Sequence, residues 1–373
     1  MNTDNDSMDA PFSIQWTHRL RFSVNPFAKH DVLDTLCKEL LPIKILVVVD
    51  DGLAESNQAF IDSLHAWCSR TEQVCASPLV VAGGEKTKNS FDTVDLILEA
   101  VNTYSICRKS CIIAIGGGAV LDAVGFAASI AHRGVPIIRM PSTSLSQGDS
   151  GVGVKNGINH FGKKNFIGTF NPPFAVVNDI TLLKSLPDEH WRAGLSEAIK
   201  VALIKDSDLF DEITTNADAL NNRDIKAMES VLKQSALLHL QHITNGGDPF
   251  ETLESRPLDF GHWSAHKLEQ LTDYEVSHGD AVAIGLSIDL LCSVKLGTLN
   301  EDIASRTISL LKQLGFPTMH TELSNPELLL GIEEFRQHLG GRLTLLMLKD
   351  MQEPVDIHEL DASIVRQAIA ELM

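Results

Sequence analysis

The chain has no CxxC pair and no apolar run approaching the ~18 residues needed to cross a bilayer. Its six cysteines, Cys37, Cys68, Cys75, Cys107, Cys111 and Cys292, are scattered through 373 residues. That pattern predicts reduced thiols and a cytoplasmic protein rather than a disulfide framework. Positive charge is scarce, with 31 lysines and arginines against 49 acidic residues and a net charge of −18. A surface of that sign repels nucleic acid and anionic membrane, so neither is expected as a partner. The opening "MNTDNDSMDAPFSIQW" has neither a basic start nor an apolar core, and no signal peptide is expected. Internal repeats and low-complexity linkers are missing as well.

What is present is an ordinary globular composition, 44% hydrophobic with 25 glycines, in a chain long enough for two cores. "IKILVVVD" (43–50) is a continuous β-branched run, as a buried parallel strand should be. A helical stretch follows at 54–69, then "SPLVVAGGE" (77–85) and the helical spacing of "SFDTVDLILEAV". "CIIAIGGG" (111–118), the helix "AVLDAVGFAASIA", "VPIIRMPST" (135–143) and "PPFAVVND" (172–179) continue the alternation. Strands alternating with helices, with glycine at strand ends, predict a Rossmann-like parallel sheet covered on both faces. Residues 144–170 read as a long polar loop. After about Pro187 helical periodicity dominates, apart from a small hairpin near "LTLLML" (343–348). The expected architecture is an α/β nucleotide-binding domain at 1–186 and a helical domain at 187–373, with a cleft between them.

"AIGGGAVLDAVG" places three glycines where a buried strand meets a helix. A diphosphate needs bare backbone amides at a helix N-terminus, and glycine lets it come close. The spacing is GGGxxxD, so the ordinary GxGxxG fingerprint fails. Asp50 ends a strand, where a carboxylate can accept ribose hydroxyls, and Glu85 and Lys88 end another; in isolation these are equally well solvated turn residues.

"DFGHWSAHKLE" holds His262 and His266 four apart, and His278 follows sixteen residues after the first. A catalytic divalent metal needs three convergent donors and an open position. Glu197, on the otherwise apolar "GLSEAIKVALIKD", is a candidate third ligand, with Lys200 on the same face. Which two histidines would join it stays open at this level. The 144–170 segment carries Asp149, Lys155, Asn159, Lys163, Lys164 and Asn165 in an acidic chain. Ammonium groups and amides on glycine-rich backbone suit a phosphorylated, polyhydroxylated ligand, and a long loop in a compact domain is more often functional than idle.

Taken in order, "GGEKTK", "GGGAVLDAVGFAA", "PSTSLSQGDSGVGVKNGINHFGKKN", "GLSEAIKVALIKD", "DFGHWSAHKLE" and "HGDAVAIG" resemble the 3-dehydroquinate synthase superfamily, the sugar phosphate cyclases. The resemblance spans nearly the whole chain. It implies an NAD-binding domain followed by a helical metal-binding domain, with NAD and a divalent metal, zinc or cobalt, as cofactors. It implies Glu197, His262 and His278 as metal ligands. The NAD positions it implies are Asp50, Glu85, Lys88, Gly117, Gly118, Asp122, Ser142, Thr143 and Lys164. Substrate-side positions are Asp149, Lys155, Asn165, Lys200 and His266, with Arg133 reaching a neighbouring subunit, hence a homodimer. Arg336 stands near the family's C-terminal substrate lysine.

The chain departs from dehydroquinate synthases at the end of the pocket that takes the substrate carboxylate. The family's lysine is replaced within "ALLHLQHITNGG" by Gln241 and His242, Arg256 stands six rather than seven residues before His262, and the family's asparagine is Asp259. A carboxylate there loses a charged partner and meets repulsion, a change worth roughly 3–5 kcal/mol if the pair is buried. A hydroxymethyl group suits Asp259, and the heptulose carrying one is sedoheptulose 7-phosphate. "DFGH" resembles the valiolone-type cyclases, though His266 replaces the proline they tend to carry. "SRPLDFGHWSAHKLEQLTDY" and "FRQHLGG" resemble the EboD-type cyclases. The expected activity is a phosphate-eliminating carbon–oxygen lyase acting on a sugar phosphate. The alternatives are a 3-dehydroquinate synthase, a metal-dependent polyol dehydrogenase, or a non-catalytic sensor derived from a cyclase.

Overall fold

The computed structural model describes residues 9–246, 248–253, 255–338 and 341–373. The first eight residues, on which the N-terminal expectation partly rests, lie outside that set. The first half runs β1 (Leu20–Phe22), α1 (Val32–Leu40), β2 (Ile45–Asp50), α2 (Asp51–Ser56), α3 (Gln58–Arg70), β3 (Leu79–Val81) and α4 (Asp92–Thr103). It continues through β4 (Cys111–Gly116), α5 (Gly118–Ile130), β5 (Ile137–Pro141), β6 (Lys155–His160), β7 (Lys163–Phe170) and β8 (Ala175–Asn178). Six strands form one parallel sheet in the order β1-β8-β5-β4-β2-β3. Strands β2 and β4 are buried almost throughout, which is why they read as unbroken apolar runs. Cores lie on both faces, one around α4 and α5 and the other around α1 and α3. The chain passes from β2 to β3 on one side and then back to β4 on the other. That reversal opens a crevice at the carboxyl ends of β2 and β4, where such sheets take nucleotides.

The second half contains α6 (Asp188–Lys205), α7 (Ser207–Thr215), α8 (Ala217–Asn221), α9 (Ile225–Asn245), α10 (His262–Leu271), α11 (His278–Lys295) and α12 (Glu301–Gln313). It ends with α13 (Leu330–His338), the antiparallel pair β9 (Leu345–Asp350) and β10 (Glu353–Ile357), and α14 (Ala362–Leu372). Helix α6 is buried without a break from Ala193 to Ile204, and α11 is buried over nearly its whole length. Helices apolar all round sit at the centre of a bundle, and these two do. No described helix is long and apolar enough to cross a membrane.

Several expectations change. The 144–170 segment is not an open loop: β6 and β7 form an antiparallel hairpin laid along α5. Its glycine, lysine and asparagine content is poor strand material, and tertiary bonds hold it instead. The guanidinium of buried Arg139 donates to the carbonyls of Gly153 (2.9 Å) and Lys155 (2.8 Å) and to Asn156 Oδ1 (2.6 Å). The 54–69 helix is two helices, with Asn57 accepting from Phe60 N at the break. His262 and His278 each open a separate helix, α10 and α11. Strand β1, only three residues long and partly exposed, gave no readable run.

Helices α10 and α11 cross at a point where main chains touch. A Cβ on Gly285 would lie 2.0 Å from the Gly261 carbonyl oxygen, and Gly261 itself holds φ +79°. Asp289 pins the same corner, accepting from Gly261 N and from Trp263 Nε1, each at 2.8 Å. Gly285→Ala is therefore expected to destabilise the protein by roughly 1–3 kcal/mol, read as a lower urea midpoint at unchanged slope.

Candidate active site

Glu197 lies at 0% exposure in the middle of α6. Its Oε1 is 3.3 Å from His262 Nε2 and 3.3 Å from His278 Nε2, while Oε2 lies against the Lys200 ammonium. Neither carboxylate oxygen receives a well-aligned hydrogen bond. His262 donates its Nδ1–H to the Phe260 carbonyl (3.1 Å), and His278 donates its own to Glu269 Oε2 (3.1 Å). Without a metal, and against the effect of burial, Glu269 and Glu197 raise His278 to about 9, so it carries a proton there; with both Nε2 atoms unprotonated, as metal ligation requires, their lone pairs face the carboxylate. Three acceptors converging on one point repel unless a cation lies between them. Donors at about 2.0–2.1 Å from a tetrahedral zinc are themselves about 3.3–3.4 Å apart. The residues fit a divalent metal.

His266 belongs beside this group, not in it. Its ring stacks on His278 at 5.9 Å and meets His262 edge-on at 5.3 Å. His266, Glu269 and His278 also lie close enough to hold an ion. Glu269, however, is already satisfied by Lys164 Nζ (2.6 Å) and by His278, and needs no metal. Burial keeps His266 well below its ordinary pKa, so its imidazole is neutral. Burial alone would raise Glu197, yet Lys200 and His262 hold it well below the usual carboxylate range. Glu269 was not anticipated. It closes "HKLE", where a charged residue reads as solvated, and its one signal is the seven-residue spacing from His262 that puts both on one side of α10.

Asp149 lies in the tight turn at 146–150, where His239 Nδ1 meets its Oδ1 at 2.5 Å. His239, on α9, is a second unanticipated residue. Lys155 at the start of β6 pairs with Glu251 Oε1 at 2.5 Å, and Arg256 Nη1 approaches Glu251 Oε2 at 3.6 Å. Asp259 is drawn below its ordinary pKa against the effect of burial, by Lys155 first, then His262, Arg256 and Lys200. Residues 149, 155, 200, 256 and 259 are thus within electrostatic reach of one another and of the metal triad.

At the sheet edge, Asp50 ends β2 and accepts from Leu53 N at 3.1 Å. The N-terminus of α5 has no side-chain cap, so its amides are open. A Cβ on Gly118 would lie 2.6 Å from Ser150 Oγ, and Ser142 N donates to Gly116 O at 2.9 Å, which sets Ser142 and Thr143 against the glycine turn. Buried Lys88 pairs with Asp122 (2.7 Å), stands 3.9 Å from Glu85 and contacts Asn165 Oδ1. A bare helix terminus beside Asp50 at the strand reversal fits a dinucleotide. Lys164, expected on the cofactor side, is bonded to Glu269 and lies within electrostatic reach of Glu85.

Two residues lie outside the group. Arg133 is exposed at the far end of α5, roughly 20 Å from Gly118 at 1.5 Å per residue. Arg336 stands on the solvent side of α13, held by Glu333 and by the Gly341 carbonyl at 2.6 Å. The structure does not bring it to the cleft.

Comparison with known proteins agrees with this geometry. The family model "3-dehydroquinate synthase N-terminal" matches residues 78–193, and "3-dehydroquinate synthase C-terminal" matches 194–335. The 2-epi-valiolone synthase of Actinosynnema mirum is 31% identical over 348 residues, covering 91% of this chain and 88% of its own. The 3-dehydroquinate synthase of Halorhodospira halophila is 33% identical over 326 residues, 87% of this chain and 91% of its own. Among solved structures, ValA, the 2-epi-5-epi-valiolone synthase of Streptomyces hygroscopicus subsp. jinggangensis with NAD+ and Zn2+ bound, superposes with a TM-score of 0.88 at 24% identity. That match covers 98% of this chain and 99% of the other.

Glu197→Gln is expected to reduce bound zinc from about one per chain to almost none, measured by elemental analysis after dialysis. Glu269→Gln leaves all three ligands but loosens His278. Zinc affinity should fall by roughly 10–100-fold in competition with a chromophoric chelator, with unchanged far-UV circular dichroism.

Proposed function

The chain belongs to the 3-dehydroquinate synthase family, and on that premise we propose that it is an NAD- and divalent-metal-dependent sugar phosphate cyclase, a carbon–oxygen lyase. Its substrate is a heptulose 7-phosphate, best matched by sedoheptulose 7-phosphate, and its product a C7 carbocycle formed with loss of phosphate. The observation that carries the substrate choice is the end of the pocket at Asp259. Burial pushes His242 down to about 4, so at neutral pH no positive charge stands there on α9. Asp259 stays ionised, because Lys155 and its other cationic neighbours outweigh the effect of burial. An ionised carboxylate beside a neutral imidazole accepts from a hydroxymethyl group and repels a carboxylate.

When bound, NAD supplies a reversible hydride acceptor and the metal a Lewis acid for the reacting oxygen. Glu197, His262 and His278 hold that metal. Asp149, oriented by His239, and Lys200 position the sugar hydroxyls beside it. Lys155, Asn165 and His266 hold the phosphate; the proton lost from the carbon beside the C–O bond that breaks would leave on a phosphate oxygen, since burial disfavours protonated His266. Asp50 and the open N-terminus of α5 carry the dinucleotide. Arg133, too far to serve its own site, would serve a second copy in a homodimer, and the enzyme would work in the cytoplasm.

A second reading, 3-dehydroquinate synthase, is favoured by Arg256, a cation within reach of Asp259, and by the identity to the Halorhodospira enzyme. The deciding experiment supplies NAD, zinc and either sedoheptulose 7-phosphate or the 3-deoxy-heptulosonate 7-phosphate, following phosphate release and product NMR. Turnover of the first alone is expected. Rapid turnover of the acid alone removes the preferred substrate, and net NADH accumulation would point to a polyol dehydrogenase. Asp259→Asn should raise kcat/KM for the acid relative to the heptulose by roughly tenfold, one unit of pKa-scale interaction.

A further inference from the structure

Lys155 and Arg256 are the cations that the pocket offers an anionic ligand on its two sides, and neither is free. One side chain, Glu251, spans both: Oε1 is 2.5 Å from Lys155 Nζ, and Oε2 is 3.6 Å from Arg256 Nη1. Arg256 Nη2 also donates to the Glu251 main-chain carbonyl at 3.2 Å. A carboxylate bridging two basic groups has the arrangement that a ligand anion would take there. Its neighbour Phe250 packs on Phe170 of the hairpin, ring centres 5.6 Å apart, which holds residue 251 beside Lys155. Asp259 lies within electrostatic reach of the same two cations. Two positive groups therefore face two carboxylates, so the charges of Lys155 and Arg256 are offset within this end of the pocket.

We infer that Glu251 is a specificity-determining residue: it occupies Lys155 and Arg256 in place of a ligand anion, so that a substrate must displace it. A phosphate dianion carries more charge than Glu251 and can take Lys155 from it. A singly charged carboxylate gains nothing over Glu251 at Arg256 and meets Asp259 besides. The pocket then admits one anionic group, not two. The sugar phosphate reading above supplies the identity of the ligand; the pairing itself does not depend on it.

The test uses the NAD- and zinc-loaded protein and inorganic phosphate as the probe, titrated calorimetrically. Lys155 Nζ sits on a side chain that is 55% exposed, so the pair is screened and its competition modest. Glu251→Gln, nearly the same shape without the charge, should bind phosphate roughly fivefold more tightly than the unaltered protein. Adding Lys155→Met to Glu251→Gln should abolish that gain. In turnover, Glu251→Gln should also raise kcat/KM for the 3-deoxy acid relative to the heptulose. Unchanged or weaker phosphate binding by Glu251→Gln overturns the inference, as does a gain that survives loss of Lys155. Tighter phosphate binding in a protein that turns over neither sugar phosphate would leave Glu251 in this role and remove the cyclase reading instead.

Discussion

A carboxylate with no exposed surface, set in an apolar helix opposite two imidazole lone pairs, is the constraint from which the rest of this structure follows. Glu197 cannot be neutralised by Lys200 alone, because its second oxygen faces His262 and His278. Burying such a charge without a partner costs several kcal/mol. A dication removes that cost and makes the three side chains one unit. The packing serves the same end. Helices α6 and α11 are the most enclosed in the second half, and each carries a ligand, so the donors are fixed by a core rather than by loops.

The two halves are joined through adjacent residues of one strand. Lys164 of β7 reaches Glu269, while its neighbour Asn165, held at φ 53°, contacts Lys88. One residue of the hairpin therefore meets the carboxylate that orients His278, and the next meets the cation beside Asp122. A shift of this strand moves both at once. On the proposed reading cofactor and metal act on the same carbon, and this strand touches residues of both sites.

How far all this is legible in the sequence depends on where the information lies. The β2 and β4 runs are readable because burial on both faces removes every polar residue from them. The glycine turn and Asp50 are readable because their chemistry is local. The hairpin was not, since its stability comes from Arg139, which is in another strand and looks like an interruption of an apolar run. The histidines were half legible. Their spacing left open which two would join Glu197; that His278 comes beside His262 depends on its opening a new helix that crosses back at Gly285, a fact of tertiary packing. The resemblance to a known family supplied that assignment where spacing left it open. Glu269, His239 and Glu251 were silent because each has a partner far off in sequence: Lys164, Asp149 and Lys155.

The crossing of α10 and α11 has one more consequence. Because the main chains touch at Gly261 and Gly285, the helices that carry His262 and His278 are held at a fixed closest approach, with no room for a side chain between them at that crossing. Calcium, which prefers six to eight oxygens at about 2.3–2.6 Å, finds the wrong atoms. Zinc and cobalt both take nitrogen and carboxylate donors, as this set offers.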